Sequence, residues 1–489
     1  MKSRNSLYLI LARLLSLIVT LVSAPLFLDW LGKERYGLYA IGLNYYLFVS
    51  LIDIGFNVGA QKRMTEAFHV GDAERAWRIH RVQLLCGFSV VFAAYLLYLL
   101  LGFTQHIRGI SFEETKPFFA FLGLQFCASW ASLYFSSVLA AQNKFSLQGA
   151  MFFLTTFCAA AGALAMAYHY RTVVSVAAGY GCGSLVGLGI FLVILKIQDP
   201  AFQLRLSYDK DIARDIGKVG ATSYPNRLLG TFANRSDRQL IGTFVDIGLA
   251  GWYATACRPA EVVTELLGSM IDTTQTEITK RVHESAEKGS AALHRNSLIV
   301  WAVACSFLVV PCSMGESIIR QWMHRDLFAL QGLVMLGIAI NYAGELHYRA
   351  LGTYFVAKGT LYRSVWFPAA NAVLTLAFTI PVVREWGLPG VGVMNALLTV
   401  VQLYPRMAIM RKETGGHFPV GRHFLKSMGI FGLSGGFCAV GYWLSWTMDK
   451  SLLSLLAAPV LAFGCLWACI GLGLTPAPTF LGRFGFKTA

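Results

Sequence analysis

Between Val219 and Gln275 the chain places Arg227, Arg235, Asp237, Arg238, Arg258, Glu261, Glu265 and Asp272 inside apolar stretches long enough for two membrane-crossing helices. A charged side chain near the centre of a bilayer costs roughly 2.5 to 3.5 kcal/mol on an insertion scale, so such residues turn toward a bundle interior or a water-filled cavity. Their spacing fits that requirement. Arg258, Glu261, Glu265 and Asp272 recur at i, i+3, i+7 and i+14, and Arg227, Thr231, Asn234 and Arg238 at i, i+4, i+7 and i+11, so each set lines one side of a helix. Arg is the only cation within the predicted spans. Its guanidinium stays charged when desolvated and donates in a planar fork that suits phosphate oxygens. The chemistry on offer is the binding of an anionic guest, with no catalytic constellation beside it.

Four further charged positions belong to this set. Arg13 stands about two turns into the first predicted span, Asp53 in the second, and Glu345 and Arg349 stand one turn apart in the tenth, with Asn341 a turn earlier. Most of the carboxylates are expected to balance an Arg, as Glu261 and Glu265 do beside Arg258 and Glu345 beside Arg349. Asp53 has no basic residue within a turn, which makes it the candidate for coupling to a proton or sodium ion. Snorkelling of Arg13 to the headgroups and mutual neutralisation of Glu345 and Arg349 are the structural alternatives. No Cys, His or acidic spacing resembles a metal site; the ten Cys are scattered through apolar runs as packing residues.

These residues need a membrane-embedded frame, and composition supplies it. Of 489 residues 56% are hydrophobic and only 14% charged, with a mean hydropathy of +0.55. About fourteen spans of roughly 20 residues fit the chain. The second covers 37 to 60, the eleventh and twelfth 362 to 383 and 388 to 405, and the last two 427 to 446 and 452 to 474. The net charge of +15 invites a nucleic-acid reading, but the cations sit in short loops on the side of the N-terminus, so the positive-inside rule explains them and makes both termini cytoplasmic. The longer loops, Gln61 to Arg81, Ile197 to Lys218, Thr276 to Asn296 and Arg406 to Lys426, fall on that same side, and no outward loop could hold a catalytic domain. The chain therefore reads as an all-α polytopic membrane protein that is not an enzyme and needs no cofactor beyond a coupling ion.

A parallel internal repeat organises the spans. One shift of the chain lays Arg13 on Arg227 and Gly37-Leu38-Tyr39-Ala40 on Gly251-Trp252-Tyr253-Ala254; a slightly longer one lays Lys62, Arg63, Glu66 and Gly71 on Lys280, Arg281, Glu284 and Gly289. This predicts an N-lobe of six helices over 1–200, a cytoplasmic linker over 201–218, a C-lobe of six helices over 219–410, and two extra helices with a tail over 411–489. The repeat would set Arg13 and Arg227 on opposite walls of one cavity.

The run Leu31-Gly32-Lys33-Glu34-Arg35-Tyr36-Gly37-Leu38-Tyr39-Ala40, then Leu51-Ile52-Asp53-Ile54-Gly55 and the Lys62-Arg63 loop, resembles the opening of the polysaccharide flippases. These are the Wzx-type O-antigen and exopolysaccharide translocases of the multidrug/oligosaccharidyl-lipid/polysaccharide exporter superfamily, and Gly251-Trp252-Tyr253-Ala254 looks like their second-lobe counterpart. The resemblance implies a bacterial inner-membrane flippase that carries an undecaprenyl-pyrophosphate-linked oligosaccharide between leaflets through a central cationic cavity. By that analogy Arg13, Arg227, Arg258 and Arg349, with Arg235 and Arg238 beside them, would receive the substrate, and polysaccharide polymerase machinery would be a partner. The two extra helices resemble the pair that gives lipid II flippases a groove for the lipid tail. An ion-coupled multidrug antiporter of the same superfamily is the alternative, and it should present carboxylates that no Arg balances.

Overall fold

The computed structural model describes residues 18–19, 21–49, 56–104, 112–199, 202, 204–221, 224–323, 330–358, 360–447 and 452–476. Among the described residues every regular element is helical. In chain order these are α1 (Leu21–Leu31), α2 (Lys33–Val49), α3 (Phe56–His69), α4 (Ala73–Thr104), α5 (Phe112–Ala141), α6 (Phe145–Tyr170), α7 (Val173–Gln198) and α8 (Lys210–Ala221). They continue with α9 (Tyr224–Phe244), α10 (Ile247–Glu284), α11 (Ala286–Met323), α12 (Gln331–Lys358), α13 (Trp366–Glu413), α14 (Val420–Thr447) and α15 (Leu452–Gly471). Among the described residues seven helices are each long and apolar enough to cross a membrane. The chain is a multi-pass all-α membrane protein.

It divides into two compact units, 1–251 and 252–489. In unit 1, α5, α6 and α7 pack together, and α6 meets α7 along a seam of small residues: Cβ atoms on Gly162, Gly179 or Gly183 would overlap backbone carbonyls of the facing helix. Close approach of backbones is how helices gain van der Waals contact where lipid offers no hydrophobic drive. The leading glycines of the two tetrapeptides matched by the repeat also meet here. A Cβ on Gly251, in the first turns of α10, would stand 2.9 Å from the Cα of Gly37 on α2, and one on Gly37 would overlap the Ile247 carbonyl. Lys33 reaches Asp246 at 3.8 Å beside this contact, and the Asp246 carboxylate caps α10 by accepting from Leu249 N at 2.7 Å.

Several predicted loops are helical. The stretch 61–81 holds the second half of α3 and the start of α4, which turn at Gly71 (φ +82°) and Asp72, whose carboxylate accepts from Arg75 N at 2.9 Å. The stretch 197–218 contains α8, an amphipathic helix whose Ile216 packs into a cluster with Ala60, Met64, Ala76 and Val138. The stretch 276–296 is the junction of α10 and α11, where the Ser285 hydroxyl accepts from Lys288 N. Hydropathy ends a span where polar residues begin, whereas the backbone continues its helix as long as caps and propensity allow. The spans predicted at 362–383 and 388–405 lie on one long element, α13, broken where Gly387 adopts φ +65°.

Both copies of the second repeat block form the same ion pair. Arg63 Nη1 meets Glu66 Oε2 at 2.8 Å, and Arg281 Nη1 meets Glu284 Oε2 at 3.2 Å. Each copy then adds a partner of its own: Asp215 of α8 accepts from Arg63 Nη2 at 2.7 Å, and Lys288 donates to Glu284 at 3.3 Å. The hydrogen bond to Asp215, followed by that to Glu66, raises the Arg63 pKa; the bond to Lys288 is the chief cause that lowers that of Glu284.

Unit 2 is built on α11, which contacts α12, α14 and α15 around the fully buried Trp301. The Trp301 indole N–H donates to the Ser427 carbonyl of α14 at 2.9 Å, satisfying the one polar atom that burial would otherwise strand.

Candidate functional site

Within unit 2 the charged stripe of α10 meets α12. Arg258 Nη1 donates to Glu261 Oε2 at 3.0 Å, one turn away, and the Tyr342 hydroxyl of α12 donates to the other carboxylate oxygen at 3.2 Å. Glu261 is only 5% exposed, while the Arg258 side chain keeps 28% of its surface open. A buried carboxylate is tolerable because a guanidinium and a phenol share its charge. The Arg258 guanidinium is partly open to solvent, where an incoming anion can reach it.

Beside this triad is an apolar cavity of about 190 Å³ between α10, α11 and α12. Pro259, Val263 and Thr264 form its α10 wall, Phe307 and Pro311 its α11 wall, and the α12 wall includes Tyr342. Pro259 and Pro311 both lie inside helices, where each removes a backbone hydrogen bond and opens room between neighbours. One residue, Tyr342, thus belongs both to the ionic triad and to the cavity wall.

Arg349 and Glu345 lie further along α12. Arg349 rests against α10 at Gly268, where a Cβ would stand 2.9 Å from Nη1, so glycine makes the room that the guanidinium occupies. Glu345 is half-buried and lies within electrostatic reach of Arg406 and Tyr348. Arg406 falls in the predicted loop Arg406 to Lys426, yet α13 runs through Pro405 and Arg406 to Glu413. Its guanidinium is buried, donating to the Gly344 carbonyl at 3.1 Å and to Gln402 Oε1 at 2.6 Å, with the Tyr348 ring 5.5 Å away. Gln402 in turn donates to Asn371 Oδ1 at 3.2 Å. The spacing of Gln402 and Arg406 at i and i+4 on an apolar helix was the available signal.

In unit 1, α9 carries Arg235, Asp237 and Arg238. Asp237 and Arg238 are buried, and the Asp237 carboxylate accepts from the Arg238 backbone N–H at 2.7 Å. The Arg235 carbonyl accepts from Asn44 Nδ2 of α2 at 3.2 Å, which ties the charged helix α9 to α2. Arg13 and Asp53 lie outside the described residues, as do the side chains of Arg227, Glu265 and Asp272, whose helices α9 and α10 are described. The structure thus brings together Arg258, Glu261 and Tyr342, and sets Arg349 on the same pair of helices.

A family model described as "Polysaccharide biosynthesis protein" matches residues 30–331. No curated protein sequence matches the chain. Among solved structures it is similar to an inward-facing multidrug resistance MATE family transporter of the MOP superfamily, with 13% identity over 83% of this chain and 98% of that chain and a TM-score of 0.68. An outward-facing MATE family transporter gives 14% identity, 84% and 96% coverage and a TM-score of 0.62. The lipid II flippase MurJ in an inward closed conformation gives 14% identity, 96% and 98% coverage and a TM-score of 0.66. The fold is accordingly that of these transporters, with about fourteen membrane-crossing helices in two six-helix lobes and two further helices at the C-terminus.

Proposed function

Because the chain belongs to the polysaccharide biosynthesis protein family, we propose that it is a flippase for a lipid-linked oligosaccharide, moving a polyprenyl-pyrophosphate carrier and its glycan from the cytoplasmic to the periplasmic leaflet. The observation that carries this reading is the pairing, on α10 and α12, of a partly open guanidinium with an apolar cavity. A lipid pyrophosphate has those same two parts. Leaving the headgroup layer strips hydration from a multiply charged anion, and fixed guanidinium groups in a partly dry site replace the lost water with charge-assisted hydrogen bonds. In this reading Arg13 takes the headgroup from the N-lobe, and Arg227, Arg235, Arg238, Arg258 and Arg349 take it from the C-lobe. Contacts on both lobes let alternating access close around the guest and then release it.

The protein would lie in a bacterial inner membrane with both termini cytoplasmic, and Asp53 would serve a coupling proton or sodium ion. The multidrug antiporter is the competing reading, favoured by the MATE likeness. Two features weigh against it. The likeness to MurJ takes in 96% of this chain against 83% for the MATE structure, and the described carboxylate at the cavity, Glu261, is already paired with Arg258. The test is complementation of polysaccharide export, with membrane abundance measured alongside, for Arg13→Ala, Arg227→Ala, Arg258→Ala and the Arg13/Arg227 double variant. The double variant should be abundant and export-deficient, with Lys restoring function only in part because it lacks the fork. Normal export by an abundant double variant refutes the cationic cavity; rescue by a drug-efflux assay alone favours the antiporter.

A further inference from the structure

Three histidines of unit 2, from three helices, form a continuous hydrogen-bonded chain outside the site described above. His294 Nδ1 of α11 lies 2.8 Å from His423 Nδ1 of α14, and His423 Nε2 lies 3.1 Å from His347 Nε2 of α12. His423 and His347 are 0% exposed, and His294 is half-buried. Both nitrogens of the central ring are therefore committed, in opposite directions. That geometry excludes one metal ion held by all three rings, since a common ion needs their donor atoms to converge. It suits a proton.

An imidazolium has two N–H donors and no acceptor. Placed on His423, it would donate to His294 Nδ1 on one side and to His347 Nε2 on the other, which converts both contacts into charge-assisted bonds. Neither outer ring offers the same two-sided reception, because His347 Nδ1 is buried without a hydrogen-bond partner. The Phe418 ring, 4.9 Å from that of His423, adds an aromatic neighbour to the central position. We propose that His294, His423 and His347 form a proton-binding site, entered at His294 Nε2 and occupied on His423.

The steps balance without further reactants. In the neutral chain His294 donates from Nδ1 to His423 Nδ1, and His423 from Nε2 to His347 Nε2, leaving His294 Nε2 as the open lone pair. A proton from water binds there. The Nδ1 proton of His294 then passes to His423 Nδ1, so His294 ends neutral and the charge rests on His423 with both bonds intact. The charged groups facing the chain are Arg422 and Lys426 of α14 at His294 and Arg406 of α13 at His347; Arg295 follows His294 on α11, and Glu345 precedes His347 by two positions on α12. Occupancy of the chain is a response to falling pH, which supplies the proton. The site is distinct from the anion-binding residues and does not depend on their role.

The experiment uses the full-length protein in lipid nanodiscs, with imidazole nitrogens labelled and Trp301 emission as a second readout, its ring lying 5.2 Å from that of His347. Lowering the pH from about 7.5 to about 5 should move the His423 nitrogens together into the imidazolium range and change the Trp301 component, taken as the difference from Trp301→Phe. His423→Gln, which keeps one donor and one acceptor, should abolish this step while the protein stays folded. His294→Gln should leave the step but slow its onset after a pH jump at least about tenfold, because the entry nitrogen is gone. A folded wild-type protein whose His423 nitrogens do not titrate in this range overturns the proposal, as does a step that survives His423→Gln, keeps its rate in His294→Gln, or vanishes on adding a metal chelator.

Discussion

Where α6 meets α7 in unit 1, backbone lies against backbone, with Gly162, Gly179 and Gly183 leaving no space for a methyl group. Where α11 and α12 meet α14 in unit 2, imidazole lies against imidazole, and a buried Arg406 hydrogen-bonds the α12 carbonyl of Gly344. Each arrangement answers the same need, since helices in lipid have no hydrophobic force between them and must gain dispersion contact or hydrogen bonds instead. The first gains only contact, and it is permanent. The second stores polar groups whose state can change with protonation or with a bound anion. A polar network does exist in unit 1, where Gln83 donates to Asn57 and Ser137, but its members there are uncharged amides and hydroxyls beside His80. The ionic groups with room to act, among the described side chains, concentrate on α10, α12 and α13.

The glycine seam offers the largest effect. Gly183→Leu must push α7 off α6 along its length, and a loss of more than about 4 kcal/mol is expected. Membrane abundance and thermal unfolding of the purified protein check it, and a stable, abundant variant would show that α6 and α7 are free to separate. Next comes Arg406→Ala, which removes the buried side chain's packing and leaves Gln402 Oε1 without its partner in the interior, and should cost about 1 to 3 kcal/mol, with Lys recovering part of it. If Arg406→Ala unfolds at the wild-type temperature, the polar core of unit 2 contributes specificity and not stability.

Glu261→Gln sharpens the comparison at the candidate site. It preserves the Tyr342 contact and removes the charge that Arg258 neutralises, so stability should fall by about 1 to 2 kcal/mol, discounted because Arg258 is partly open to solvent. Anion binding should tighten as Arg258 is released. Equilibrium binding of a short-chain isoprenyl pyrophosphate to the purified variant measures this, and weaker binding would make Glu261 a substrate contact. The smallest effects belong to the repeat-matched ion pairs. Arg63→Ala, losing Glu66 and Asp215, should cost about 0.5 to 1 kcal/mol, and Arg281→Ala less, by melting temperature. Because the Glu284 pKa is lowered on folding, its pair is intact at neutral pH and is lost only as pH falls through that lowered value. The difference between wild type and Arg281→Ala should therefore be constant from pH 7 to about 5 and shrink below it.

Helix content and membrane residence were legible because each follows from a one-dimensional property, the length and composition of apolar runs. Arg258 and Glu261 could be assigned to one face because a turn of helix is local, and their ion pair spans only that turn. The reason for the matched glycines was not local. Gly37 and Gly251 could be paired by the repeat, but only folding showed that they pack on each other. Gly71 and Gly289 match in sequence yet differ in use: Gly71 makes a left-handed turn, and Gly289 lies inside α11.

What tertiary structure alone decided were the contacts between distant helices. Tyr342 reaches Glu261 across 81 positions, and His294 reaches His423 across 129. No spacing rule joins such residues, because periodicity fixes which face a side chain occupies and leaves open which helix will face it. Arg406, which opens the predicted loop Arg406 to Lys426, lies inside α13 for a related reason: packed neighbours in a membrane bundle can hold the chain helical beyond a proline such as Pro405. Composition determined that the charges must turn inward. The arrangement of α10 to α14 determined which of them became ion pairs, which a buried cation, and which a hydrogen-bonded chain of three imidazoles.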